Sequence, residues 1–254
     1  MPTIITCFKW VVDESYIRQG TAGELDFSVV DYRISDYDRN AIEEAMRLKA
    51  IYGGEVLALT AGVPEATKSI KDALSRGPDR AFFAVDPSFG GLEPAQTAAL
   101  LAAVVKAHIT PYDLILCGEG SGDLYAQQVG PRLAEHLGIP SISFVQKVDI
   151  QEGKVIAERR VEEGIEVVAA TLPALVTVLP DINVPRIPGV KDTLMASKKP
   201  VLSLKKEDLP PIPEPYLQTL EMKTAKLSRA CEKFGSDDAE INRFLNALRK
   251  KAAI

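Results

Sequence analysis

From Met1 to Val148, short apolar runs alternate with segments of helical spacing, and no other feature of the chain narrows its fold so far. The first run, Ile4-Ile5-Thr6-Cys7-Phe8-Lys9-Trp10-Val11-Val12, is broken only near its end by Lys9 and reads as a strand buried on both faces. A loop with Gly20 and Gly23 and a short Leu25-Asp26-Phe27 segment lead to Ile34-Ser35-Asp36-Tyr37-Asp38. The oxygens of that segment can cap a helix carrying Ala41, Ile42, Ala45, Met46 and Leu48 and closing at Gly53-Gly54. Then follow a strand at Glu55 to Thr60, a helix marked by Ala66, Ile70, Ala73 and Leu74, and a strand at Arg80 to Val85. Ala98 to Val105 is apolar nearly all round, so that helix must be covered on most sides. A strand at Leu114-Ile115-Leu116, a helix with Ala126, Val129, Leu133, Ala134 and Leu137, and a strand at Ile142 to Val148 complete the series. Five strands alternating with four helices predict an α/β fold: a parallel, twisted, Rossmann-like sheet with helices on both faces.

Open sheets of this kind bind ligands beyond the carboxyl ends of their strands, where strand order reverses. That directs attention to the turns after Cys7, Thr60 and Cys117. The last is the richest, CGEGSGDLYAQQVGP from Cys117 to Pro131, with Gly118, Gly120 and Gly122 at a strand-to-helix junction. Glycines there let backbone approach a ligand, and a helix N-terminus offers free N–H groups and positive dipole to a phosphate. A nucleotide is the expected ligand; an ordinary glycine-containing loop is the alternative. The spacing is not that of the dinucleotide fingerprint, and it occurs late among the strand–helix units. Lys9, at a strand's carboxyl end, suits an anionic ligand or a surface ion pair.

From Gln151 the character changes. Lys154 to Arg160 and Ile165 to Ala170 flank Glu162-Glu163-Gly164 as a β-hairpin, and Pro173 to Leu179 is a further apolar strand. Prolines at 185 and 188 exclude regular pairing, and Pro210-Pro211-Ile212-Pro213-Glu214-Pro215 is a semi-extended connector. A helix from about Asp237, with Ile241, Phe244, Leu245 and Leu248 on one face, ends the chain and needs a surface to cover. Two domains are expected: a nucleotide-binding α/β domain at 1–182, and at 183–254 a contact loop, extended arm and helix that recruit a partner.

With 26% charged and 46% apolar residues, a net charge of -5 and a pI near 5.3, the chain has no general basic field for nucleic acid. No segment approaches a membrane span and no signal peptide is seen, so the expected location is the cytoplasm, or a mitochondrial matrix after loss of a transit peptide. Cys7, Cys117 and Cys231 are too scattered for a disulfide frame or zinc site, and His108 and His136 lack metal-ligand spacing. Neither a nucleophile elbow, a Walker loop nor a zinc-protease motif occurs, and Glu162-Glu163 reads as a solvated turn. Any chemistry is expected to come from a bound cofactor.

The stretch Ala157 to Val178, AERRVEEGIEVVAATLPALVTV, resembles the β (small) subunit of electron transfer flavoproteins in Ala157, Arg159, Glu162, Glu163, Gly164, Glu166, Val168, Pro173, Leu175, Val176 and Thr177. Lys9, Tyr37-Asp38 before AIEEAMRLK, ALSRGPDRA, Gln128-Val129-Gly130-Pro131 and Asn183-x-Pro185-Arg186 follow in the same order, and SGDLYAQQVGP is most similar to the Fix-type branch. The resemblance implies a heterodimer with a larger α subunit carrying the electron-transferring FAD, serving an acyl-CoA dehydrogenase or reductase. It also implies a nucleotide site in this chain holding AMP in simple carriers and a second FAD in members that bifurcate electrons with NADH. Carried over by position, that site uses Cys7, Phe8 and Lys9; Ser35, Asp36, Tyr37 and Asp38; Thr60 and Ala61; Thr97; Cys117, Gly118, Ser121 and Asp123; and Tyr125 through Gly130, namely Tyr125, Ala126, Gln127, Gln128, Val129 and Gly130. The resemblance also implies that Val190 falls in the loop that, in carrier-type relatives, contacts the partner dehydrogenase through an apolar side chain. Where many relatives have Asn-Pro, Asp-Thr and an acidic residue, this chain has Ser35-Asp36, Tyr125-Ala126 and Arg160. The missing hydroxyl at Ala126 speaks against the AMP mode and leans the assignment towards FAD. A universal-stress-type nucleotide sensor is the alternative class. An ATP-pyrophosphatase would need a serine–glycine loop where Cys7-Phe8-Lys9-Trp10 stands.

Overall fold

A computed structural model of the chain describes residues 1–20, 24–217, 219–220 and 231–251; Gly23 of the expected loop lies outside them. Two compact units result, one formed by Met1–Arg18 with Asp26–Leu220 and the other by Gln19–Leu25 with Glu221–Ile254.

The first unit is built on one sheet of nine strands. In chain order its elements are β1 (Thr3–Cys7), a short ribbon of β2 (Trp10–Val12) and β3 (Tyr32–Ile34), α1 (Asp36–Tyr52), β4 (Glu55–Gly62), α2 (Thr67–Ser75) and β5 (Arg80–Val85). Then come α3 (Pro94–His108), β6 (Leu114–Gly118), α4 (Val129–Leu137), β7 (Ser141–Gln151), β8 (Lys154–Val161), β9 (Gly164–Thr171), β10 (Ala174–Val178), α5 (Val190–Ala196) and β11 (Val201–Lys205). Across the sheet the order is β9-β8-β7-β10-β6-β1-β4-β5-β11.

The strands at the centre are apolar at successive positions because both faces are covered. Ile4 packs with Ala41, Ala45 and Leu48 of α1, whereas Ile5 packs with Leu101 and Val105 of α3 and Leu133 of α4. Further along the α1 face, Ile70, Ala73 and Leu74 of α2 cover Ala58, Ala81 and Phe83. The two-residue period of the strands thus sorts side chains onto opposite helical layers.

Four features depart from the sequence reading. The sheet is mixed: β8 and β9 are antiparallel members of the same sheet, which makes the hairpin an extension of it. Strand β10 inserts between β6 and β7, parallel to both. Val201–Lys205, where no element was expected, pairs in parallel with Arg80–Val85 and covers that edge. Finally, the first apolar run is two strands, because its backbone is captured at Phe8-Lys9. Phe8 N–H donates to the Leu59 carbonyl at 3.0 Å, the Thr60 hydroxyl donates to the Phe8 carbonyl at 2.6 Å, and Ser35 N–H donates to the Lys9 carbonyl at 3.1 Å.

In the second unit, α6 (Asp238–Lys250) begins where expected, with the Asp237 carboxylate accepting from Glu240 N–H at 2.9 Å. Phe244 packs edge-on against Phe234 at 5.4 Å while remaining 42% exposed, so its apolar face is only partly covered.

Candidate functional site

The chain moves from β1 outward through β4 and β5, then returns across β1 to β6, so strand order reverses between β1 and β6. At their carboxyl ends lie the turns that begin at Cys7 and Gly118, with the β4 end at Thr60 and Ala61 beside them. The start of α1 completes the edge.

Asp38, in the first turn of α1, ties this edge together. It is 7% exposed, and its carboxylate accepts from Lys9 N–H at 2.8 Å and Gly118 N–H at 3.2 Å. Burial pushes its pKa up to about 7, against the pull of those two N–H groups and the Lys9 charge. A Cβ on Gly118 would lie 2.7 Å from the Asp38 carboxylate and the Tyr37 backbone, so only glycine permits this approach. Ser35 caps nothing: its buried hydroxyl accepts from Gly122 N–H at 3.2 Å instead. Two of the capping oxygens expected from sequence, those of Ser35 and Asp38, therefore hold the glycine-rich turn, 80 or more residues away.

Lys9 reaches the same turn from the other side, its ammonium 2.6 Å from Asp123. Burial opposes ionisation of Asp123, but hydrogen bonds from Lys9 and Ser121 outweigh it and hold the carboxyl below its ordinary value. With 45% of its side chain exposed, Lys9 keeps access to solvent and to an incoming anion.

Beyond Asp123 the backbone is held in left-handed conformations at Tyr125 (φ 46°) and Gln127 (φ 57°). The Tyr125 hydroxyl donates to Glu119 Oε1 at 2.6 Å, which pushes the phenol up to about 12, and its ring lies 5.2 Å from that of Tyr37. Glu119, 8% exposed, was not singled out from sequence; its place amid the glycines was the only signal. Helix α4 starts at Val129, three residues later than expected, leaving Ala126, Gln127 and Gln128 outside it. Among the described residues its N-terminus has no side-chain cap, so the N–H groups of Val129 and Gly130 fit an external phosphate. Gly130 lets this helix approach the sheet, since a Cβ there would sit 2.6 Å from Thr177 Cγ2.

The remaining candidates are placed differently. Cys7 and Cys117 are buried on neighbouring strands, and hydrogen bonding between their thiols, with burial, pushes Cys117 well above the usual thiol range; both pack rather than react. Thr60 is buried on the Phe8 carbonyl, and Ala61 packs on the α3 side of the core. Asp36 is exposed and pairs with Arg33 and Arg39, both at 2.9 Å. Thr97 stands in the first turn of α3, following the capping box of Glu93 and Gln96, with its N–H on the Glu93 carbonyl. Val190 is 81% exposed at the start of α5. Arg160 pairs with Asp181 at 2.6 Å.

This edge can bind and orient an anionic ligand through backbone N–H groups and one ammonium. The family model described as the electron transfer flavoprotein domain matches residues 25–209 of the chain.

Proposed function

The chain belongs to the electron transfer flavoprotein domain family, and from that premise we propose that it is the β (small) subunit of a heterodimeric electron transfer flavoprotein of the Fix-type branch. Its role is to carry electrons, with an α subunit, between an acyl-CoA dehydrogenase or reductase and another redox partner in the cytoplasm. The observation that carries this reading is the convergence of Lys9, Ser35, Asp38 and the Gly118-to-Asp123 turn at the switch between β1 and β6, beside the uncapped start of α4. A dinucleotide's phosphates would rest on the Val129 and Gly130 N–H groups, with Lys9 adding charge.

FAD is the ligand assigned to this site and AMP the alternative. The exposed ring of Tyr125 and the half-buried ring of Tyr37 favour the larger ligand, because they offer an aromatic wall where a phosphate-binding hydroxyl is missing at Ala126. The flavin supplies the redox chemistry when bound. The chain's own residues hold its phosphates, set its position against the sheet edge and brace the turn through Asp38 and Ser35.

Two exposed apolar stretches suit protein partners. Val184, Ile187, Val190 and Leu194 are 90%, 94%, 81% and 63% exposed, a patch suited to brief docking of a dehydrogenase. On the arm, Tyr216, Leu217 and Leu220 are 81%, 78% and 89% exposed, and the α subunit is the partner assigned to them.

Denaturing the purified complex and quantifying released nucleotides tests the reading. Two FAD and no AMP marks a bifurcating member using NADH, one of each marks the simple carrier, and colourless material refutes both. Val190→Asp should slow electron transfer to the dehydrogenase by about tenfold or more, as for loss of an interface anchor, while the flavin content stays unchanged.

A further inference from the structure

Apart from the nucleotide crevice, a cleft of about 390 Å³ lies between the first turns of α1, Arg76 at the end of α2 and the segment Pro185–Ile187. Three guanidinium groups, those of Arg39, Arg76 and Arg186, share it with one carboxylate, Asp36. Two of them are tethered by acids outside the lining. Arg186 forks onto Glu43 with contacts of 2.7 and 2.9 Å, and Arg76 pairs with Asp72 at 3.0 Å while donating to the Arg186 carbonyl at 3.1 Å.

Arg39 is different. Its Nη1 donates to Asp36 Oδ1 at 2.9 Å, but Asp36 also serves Arg33, so one carboxylate is divided between two cations. The Arg39 Nε–H is buried with no hydrogen-bond partner among the described residues. An orphaned donor on a charged group is costly, and an oxyanion bound against the same guanidinium offsets that cost through its charge. Burial, and next the nearby Arg76 charge, hold the Arg39 guanidinium below its ordinary pKa, a penalty that a bound negative charge reverses. The opposite wall is apolar: Pro185 and Ile187 line the cleft, and Ile187 is 94% exposed. Asn40 anchors that wall, its side-chain amide donating to the carbonyls of Pro180 at 3.0 Å and Asn183 at 2.9 Å.

We propose that this cleft is a second anion site, taking the phosphate or carboxylate group of a small molecule on Arg39 and Arg76, with an apolar portion of the same molecule against Pro185 and Ile187. The inference does not depend on what occupies the nucleotide crevice.

The test uses the purified protein with any chain that accompanies it, titrated calorimetrically with inorganic phosphate and with n-butyl phosphate at constant ionic strength. Saturable binding is expected, tighter for the butyl ester, and about tenfold weaker in Arg39→Gln, as for loss of a charge-assisted hydrogen bond. Lys9→Gln should leave it unchanged. Equal affinity in Arg39→Gln, or loss only in Lys9→Gln, overturns the proposal by placing the anion elsewhere, and absence of saturable heat overturns it outright. Should Arg39→Gln fold poorly, the wild-type protein decides: phosphate, but not chloride, should slow modification of Arg39 by phenylglyoxal, mapped by mass spectrometry, and an unaltered rate refutes the site.

Discussion

Replacing Asp38 by asparagine should abolish the pH dependence contributed by this one position. In the unfolded chain the carboxyl titrates near its ordinary 3.8, and in the folded protein near 7. Between those values the folded state holds a proton that the unfolded chain has released. Stability therefore falls as pH rises: the contribution is complete below about pH 4 and lost as pH passes about 7. A displacement of that size corresponds to about 4 kcal/mol, up to roughly 1.4 kcal/mol per pH unit.

Asparagine keeps the shape and one acceptor oxygen but cannot accept from both Lys9 and Gly118, a loss of about 1 kcal/mol at every pH. Asp38→Asn should thus be about 1 kcal/mol less stable than wild type near pH 3, about equal to it at pH 4.5, and about 3 kcal/mol more stable at pH 8. Urea unfolding, followed through the fluorescence of Trp10, the chain's single tryptophan, reads this directly. Carboxyls held low in the folded state, among them Asp123 and Asp149, give the opposite slope, but they are shared by both proteins and cancel in the difference. Parallel stability curves for the two proteins would refute a proton held at Asp38.

Gly130→Ala should destabilise the protein by about 1–3 kcal/mol, as overpacking does, because its Cβ meets Thr177 Cγ2. Adding Thr177→Ser, which removes that methyl but keeps the acceptor for Phe144 N–H, should restore much of the loss in thermal unfolding. Tyr125→Phe leaves buried Glu119 without its 2.6 Å donor and should cost about 1–3 kcal/mol, with weaker retention of nucleotide through dialysis. Lys199→Met strips the donor from the carbonyls of Leu74, Gly77 and Pro78 and should cost about 2–3 kcal/mol by urea titration, a loss confined to stability if those bonds only close the end of α2.

What could be read directly was local. Ile4-Ile5, Val56 to Leu59 and Leu114 to Leu116 are apolar without a break, which requires strands covered on both faces, and the 3.6-residue spacing in α1, α2 and α3 supplied the covers. Residues at the ends of those strands follow from the same pattern, so the Cys7, Thr60 and Cys117 turns were identifiable as one edge of the sheet. Thr97 and Glu119 were harder, because neither hydrogen-bonded nor buried character is written into a residue's immediate neighbours.

Sequence alone determined most of the strands and helices in the first half of the chain, since periodicity and turn residues act over a few positions, but not the break at Phe8-Lys9 or the late start of α4. Tertiary structure alone decided that β10 enters between β6 and β7, that Val201–Lys205 returns to pair with β5, and that Ser35 and Asp38 serve the Gly118-to-Gly122 turn rather than their own helix. A side-chain oxygen can satisfy a nearby N–H or a distant one with equal chemistry. Only the packed fold, by bringing the N–H groups of Gly118 and Gly122 within hydrogen-bonding reach and partly shielding them from water, makes the second choice the lower in free energy.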